Sequence, residues 1–262
     1  MINPDLFRRA PECRIRPPVG YKWAPPPLNL AFLFCSRDYG QAIRVLNWAK
    51  DIGKQPNEIH FITDEGMDCS AAVDLAKKGF GKCVVHYIPQ CHMPWPACNN
   101  HAFAETCKIM RDLGKPWLLW ETDMIPSQRD WVARLEAEYQ KAKRPFMGAW
   151  VDCFDHINGG AIYPPDVVSW CPNFFSKPAT SQMAFDCAIA PEIIWFSHAV
   201  NHMMPNIFYS RANGRPAGLI PNPTVWDHRA FDWVHTHDTC IIHRDKRGEC
   251  IDFLRKKFDI RK

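Results

Sequence analysis

From residue 28 to about residue 144 the chain repeats an apolar run followed by an amphipathic stretch. Residues 28–35 (LNLAFLFC) are almost unbroken apolar, the pattern of a strand covered on both faces. Residues 40–52 carry Ile43, Leu46 and Ala49 on one stripe, with Val45 and Trp48 beside it, and Gly53 closes the segment as a helix stop. The pair then recurs three times: a strand at 58–63 and a helix at 70–78 stopped by Gly79, a strand at 83–88 and a helix at 99–113 ending before Gly114, and a strand at 116–120 (PWLLW) with a helix at 128–143. Four such units predict an α/β fold, a Rossmann-type, mostly parallel sheet with helices on both faces in a single domain. Ligands of such sheets sit at the carboxyl ends of the strands. That singles out Ser36, Arg37 and Asp38 after the first run, Asp64 and Glu65 after the second, and Glu121, Thr122 and Asp123 after the fourth.

The flanks read differently. Residues 1–27 contain Pro4, Pro11, Pro17, Pro18, Pro25, Pro26 and Pro27, which excludes a regular helix or central strand and predicts an extended arm. After Arg144 the rhythm gives way to irregular aromatic, Gly- and Pro-rich segments. A second half, 145–262, is expected to be fused to the same sheet as 28–144.

Composition refines this only a little. With 262 residues, 47% hydrophobic and 23% charged, the chain can bury one large core. Eleven Trp can build that core or stack on sugars and bases. A net charge of +4 does not choose between DNA, lipid headgroups and anionic nucleotides. The basic stretch at 244–262 is interleaved with acids and reads as a solvated helix face. Of twelve Cys, Cys35, Cys83 and Cys187 sit inside apolar runs, where thiols act as small hydrophobes. No apolar leader or membrane-length run is visible, so a reducing, cytoplasmic setting without a membrane partner is expected. Cys91, His92 and Cys98 match no common structural-zinc spacing.

The sharpest local chemistry is Glu121-Thr122-Asp123. Two carboxylates one residue apart at a strand end can both reach a divalent cation and a diphosphate bound to it; hard oxygen ligands suit Mg²⁺ or Mn²⁺. The same residues could instead cap the following helix.

This acidic triplet resembles the DxD-type motif of the GT-A glycosyltransferases, with Glu121 in place of the first Asp. Residues 156–164 (HINGGAIYP) and 184–189 (AFDCAI) resemble two successive motifs of a subgroup found in phages, large viruses and some algae. Residues 243–250 (HRDKRGEC) resemble a degraded form of its His-x-x-Lys-Asp-Gly tail. The likeness spans about residues 28–255 and rests on the order and spacing of the motifs. It implies a UDP-sugar donor, with 28–144 as the nucleotide-sugar half and 145–262 as the acceptor side. By position, Asp123 would be the principal metal ligand, supported by Glu121 and completed by His243. Lys246 would face the diphosphate, and Ser36, Arg37 and Asp64 would surround the nucleotide. Asn158 and Gly159 would lie under the donor sugar. Asp186 would be general base to the acceptor hydroxyl or a binder of sugar hydroxyls.

Rivals for these roles are visible. His235 and His237 compete with His243, and Asp152 and Asp155 with Asp186. The place of a nucleotidyltransferase's Gly-rich loop reads CSRDYGQ, with one Gly. A nucleic-acid-binding module would explain the Trp and the basic tail but not acids at successive strand ends. The viral flavour of the resemblance suggests 5-hydroxymethylcytosine in phage double-stranded DNA as acceptor, flipped from the stack, within an infected host cell's cytoplasm. A glycan or protein acceptor is the alternative.

Overall fold

The computed structural model describes residues 17–151, 156–176, 182–205, 237–245 and 248–260. The first half builds β1 (Asn29–Leu33), α1 (Tyr39–Ile52), β2 (Glu58–Asp64), α2 (Ser70–Gly79), β3 (Lys82–Ile88), α3 (Ala97–Leu113), β4 (Trp117–Glu121), β5 (Met124–Pro126) and α4 (Trp131–Ala142). The second half adds β6 (Phe146–Gly148), β7 (Trp150–Val151), β8 (His156–Ile157), β9 (Ile162–Tyr163), α5 (Val167–Trp170), α6 (Pro172–Ser176), α7 (Phe185–Ile193), β10 (Ser197–Ala199), β11 (Ile241–His243) and α8 (Glu249–Lys257).

Seven strands form one sheet in the order β10-β6-β9-β4-β1-β2-β3. Neighbours run parallel except around β9, which is antiparallel to both β4 and β6. Three strands of the second half thus continue the sheet begun by the first. The period-two alternation of strand side chains divides the core between the two faces. Leu30, Phe32, Leu118 and Trp120 point to the side covered by α1, α2, α4 and α8. Ala31, Trp117 and Leu119 point to the side covered by α3, α5, α6 and α7. Four of the eleven Trp are spent here: Trp48, Trp117, Trp120 and Trp131 are fully buried, and Trp117 stacks on Tyr163 at 4.8 Å between ring centroids.

The described part of the proline-rich arm, from Pro17, lies against this core. Tyr21 packs edge-on to Trp170 and Trp23 packs against Tyr139. At the far end of the sheet the turn between α2 and β3 is closed around Gly81, whose N–H donates to the Asn57 carbonyl. A Cβ added there would stand 2.1 Å from the Pro56 carbonyl oxygen, which is backbone and cannot rotate aside. Gly81→Ala is therefore expected to destabilise the fold by about 3 kcal/mol, read as a lower urea midpoint at unchanged slope.

Candidate functional site

The C-terminal ends of β1, β2 and β4 converge on a cavity of about 580 Å³, closed on the other side by the β3–α3 loop and the start of α3. Ser36 and Arg37 line it from the β1–α1 loop and Asp64 from the end of β2, while Glu121 and Asp123 stand at its β4 edge. Asp38 ties two of these elements together. Its carboxylate accepts from the Cys35 N–H at 2.7 Å and from the Thr122 hydroxyl at 3.2 Å. The acidic triplet does not cap a helix: it is the turn into β5, and α4 begins only at Trp131.

His243 reaches this turn through strand pairing. β11 runs antiparallel to β5 with His243 opposite Met124, and the Asp245 N–H continues the contact by donating to the Asp123 carbonyl at 3.0 Å. The His243 Nε2 atom then lies 3.1 Å from Glu121 Oε2 and 3.2 Å from Asp123 Oδ1. Burial of His243 would lower its pKa, but the Asp123 and Glu121 carboxylates outweigh that and hold it at about 9. His237 takes no part; it is exposed and lies 3.0 Å from Asp238. His235 and Lys246, with Asp152 and Asp155, lie outside the described residues.

Two carboxylates and one imidazole converging on one point are a group that could hold a cation. An octahedral cation with bonds of about 2.1 Å places adjacent ligand atoms roughly 3.0 Å apart, close to the separations found here. Carboxylates admit Mg²⁺ or Mn²⁺; the imidazole favours Mn²⁺, since Mg²⁺ prefers oxygen.

Asp245, which was not among the expected site residues, locks the segment behind His243. It is fully buried. Its carboxylate accepts from the Gly248 and Cys250 N–H groups at the start of α8, and its carbonyl accepts from Gln41 Nε2 on α1. Burial pushes its pKa up to about 6, opposed by the N–H groups of α8. Asp245→Ala is expected to cost about 1 kcal/mol of stability as a lost cap. It should also weaken Mn²⁺ binding by about tenfold, as loss of a group orienting a ligand does; melting curves and a Mn²⁺ titration measure the two effects separately.

The other expected residues gather nearby but off the cavity. Asn158 is buried, and its side-chain oxygen accepts from the Gly160 N–H at 3.0 Å. At Gly159 the room a side chain would need is filled by the Phe185 ring, 2.6 Å from an added Cβ, so packing against α7 already demands glycine there. Gly160 packs just as closely on Met124, the residue after Asp123. Asp186 is paired with His156, with Nε2 to Oδ2 at 3.3 Å, and accepts from the Cys187 N–H at 2.9 Å. Burial would raise the Asp186 pKa, but His156 and the N–H groups of Cys187 and Gly159 outweigh it and hold the carboxyl below its usual range. His156 is thus a partner that sequence reasoning missed; its nearness to Asp186 depends on β8 meeting α7 thirty residues later.

No protein-family model and no curated protein matches this sequence. Solved structures do. The galactosyltransferase LgtC, in complex with donor and acceptor sugar analogs, superposes with a TM-score of 0.55 at 8% identity, covering 88% of this chain and 96% of that one. The fold is that of the GT-A glycosyltransferases. An active-site mutant of LgtC gives 0.53 at 10% identity over 88% and 96% of the two chains. The bifunctional glycosyltransferase WbbM gives 0.53 at 8% identity over 86% of this chain and 46% of that one. At these identities the likeness is one of fold, and within that GT-A frame Glu121, Asp123 and His243 converge at the carboxyl edge of the sheet. No helix among the described residues is long and apolar enough to cross a membrane.

Proposed function

We propose that this chain is a metal-dependent glycosyltransferase that moves a sugar from a nucleotide-sugar donor, by default a UDP-sugar, to an acceptor hydroxyl. The observation that carries the reading is the meeting of Glu121, Asp123 and His243 at the edge of a cavity large enough for a nucleotide, in a GT-A fold. A divalent cation held there would offset the negative charge on the departing nucleoside diphosphate.

The chain's own groups divide the remaining work. Ser36, Arg37 and Asp64 contact the nucleotide, and Lys246, three residues beyond His243, faces the diphosphate as a compact positive charge. Asn158 and Gly159 form the floor beneath the donor sugar; support comes from Gly160, which carries this turn onto Met124 beside Asp123. For Asp186 the hydroxyl-binding role is preferred to that of general base. A carboxylate held below its usual pKa by three donors is a weak base, and base catalysis wants a pKa near the working pH.

A glycan or protein acceptor is the better reading. The LgtC structure holds an acceptor sugar analog, and five of the Trp that suggested base stacking, Trp48, Trp117, Trp120, Trp131 and Trp170, are buried in the core. Exposed Trp95, two residues beyond the cavity-lining Met93, offers a ring face of the kind that stacks on sugars. The test is incubation with Mn²⁺ and a panel of UDP-sugars, with oligosaccharides, a glycoprotein or hydroxymethylcytosine-containing DNA as acceptors, followed by mass spectrometry. A hexose-sized gain on glycan or protein supports this reading. A gain on the DNA alone restores the phage-DNA acceptor. UDP release absent throughout removes the donor assignment.

A further inference from the structure

A second group of metal-ligating side chains lies outside the Glu121–Asp123–His243 site. His156 from β8 and Asp186 and Cys187 from the first turn of α7 bring one ligand atom each within 4.8 Å of one another. The donor set differs in kind from the first: one imidazole, one carboxylate and one thiol in place of two carboxylates and an imidazole. Sulfur favours a soft or borderline cation, and a mixed nitrogen, oxygen and sulfur set suits tetrahedral Zn²⁺.

The separations fit that geometry. Zn²⁺ bonds of about 2.0–2.1 Å to nitrogen and oxygen and about 2.3 Å to sulfur place tetrahedral neighbours roughly 3.3 Å apart for N and O, and roughly 3.5 Å for N and S. His156 Nε2 lies 3.3 Å from Asp186 Oδ2 and 3.8 Å from Cys187 Sγ. A single imidazole nitrogen thus forms two edges of one ligand face without rearrangement of the backbone. Two further features favour the bound form. The N–H groups of Cys187 and Gly159 orient the Asp186 carboxylate, an arrangement that supports metal-ligating carboxylates. Cys187 also sits in the first turn of a helix, where the backbone dipole favours thiolate.

We infer that His156, Asp186 and Cys187 form a three-ligand site for a soft divalent cation, of which Zn²⁺ is the best fit, leaving one coordination position for water. Binding would staple β8 to the start of α7. The site stands on its own geometry and does not depend on glycosyl transfer; where the hydroxyl-binding role of Asp186 holds as well, the cation competes with the sugar for that carboxylate.

The test replaces Zn²⁺ with Co²⁺, whose thiolate complexes absorb in the near ultraviolet, and follows titration of the metal-free, reduced full-length protein. A thiolate-to-cobalt band with one equivalent of Co²⁺ is expected, displaced by Zn²⁺ and lost in Cys187→Ala. Because Cys187→Ala changes a small side chain, its own melting curve without metal checks the fold. Zn²⁺ at a hundredfold excess over its Kd should raise the melting temperature of the natural protein by about 5 °C, and this gain should shrink in Cys187→Ala. The Glu121→Ala/Asp123→Ala double variant should keep the band, which separates the two sites. No thiolate band, or a band that survives in Cys187→Ala, overturns the assignment.

Discussion

Asp123→Ala should lower donor turnover by on the order of 10³-fold, a loss of about 4 kcal/mol of transition-state stabilisation, while the protein stays folded. The size follows from what the carboxylate is placed to hold. Asp123 contributes one of three converging ligand atoms, and its backbone carbonyl receives the Asp245 N–H that brings the His243 segment to the turn. Alanine keeps that backbone contact and the β5–β11 pairing and removes only the ligand. Activity should therefore fall far more than stability. Glu121→Ala should show a smaller loss, since Asp123 and His243 remain, and the double variant should be no more than slightly worse than Asp123→Ala, because groups holding one cation act as a unit. Release of UDP from a UDP-sugar, with and without Mn²⁺, measures this. Full turnover in Asp123→Ala would remove the carboxylate from the mechanism.

The second large effect is a pH dependence of metal binding. In the metal-free protein His243 is held at about 9 by Asp123 and Glu121, against the lowering effect of burial. At pH 7 the imidazole therefore carries a proton that a cation must displace. Between pH 6.5 and 8.5 the Mn²⁺ affinity should rise about tenfold per pH unit, roughly 100-fold in all, and level off above about 9. Calorimetry at pH 7 in buffers of different ionisation enthalpy should report release of about one proton. The sign for stability follows. A raised histidine pKa gives the metal-free fold a contribution that is complete below about 6.5 and lost as pH rises through about 9. Stabilisation by Mn²⁺ should grow over the same interval. His243→Gln should flatten the pH dependence; a flat profile in the natural protein would mean that His243 is not a ligand.

The strand–helix rhythm of the first half was readable because each element is covered by its neighbours in sequence. The 28–35 run is apolar throughout since β1 is buried on both faces, and α1, α2 and α3 each carry an apolar stripe that ends near a glycine. The acidic turn was readable too, because strand-end position alone gives Glu121 and Asp123 their place. What local pattern could not supply is the pairing that assembles the site. β11 is three residues long and meets β5 more than a hundred residues away in sequence, so only the likeness of the 243–250 segment to a family tail favoured His243 over His237; strand register carries His243 to the acidic turn and leaves His237 exposed. The same holds for His156 and Asp186, joined by the packing of β8 on α7. Asp245 left a faint trace, an acid three residues before Gly248 at a helix start, but its role depends on Gln41 from the opposite end of the chain. At Gly159 the Phe185 ring occupies the direction a side chain would take, a packing constraint that only the fold reveals.

The most direct test of the central claim is the affinity of the protein for UDP, measured by calorimetry with and without Mn²⁺. If Glu121, Asp123 and His243 hold a cation that bridges to the diphosphate, Mn²⁺ should tighten UDP binding by at least about tenfold, and Asp123→Ala should abolish that gain. Equal UDP affinity with and without Mn²⁺, or a gain that persists in Asp123→Ala, would contradict the account.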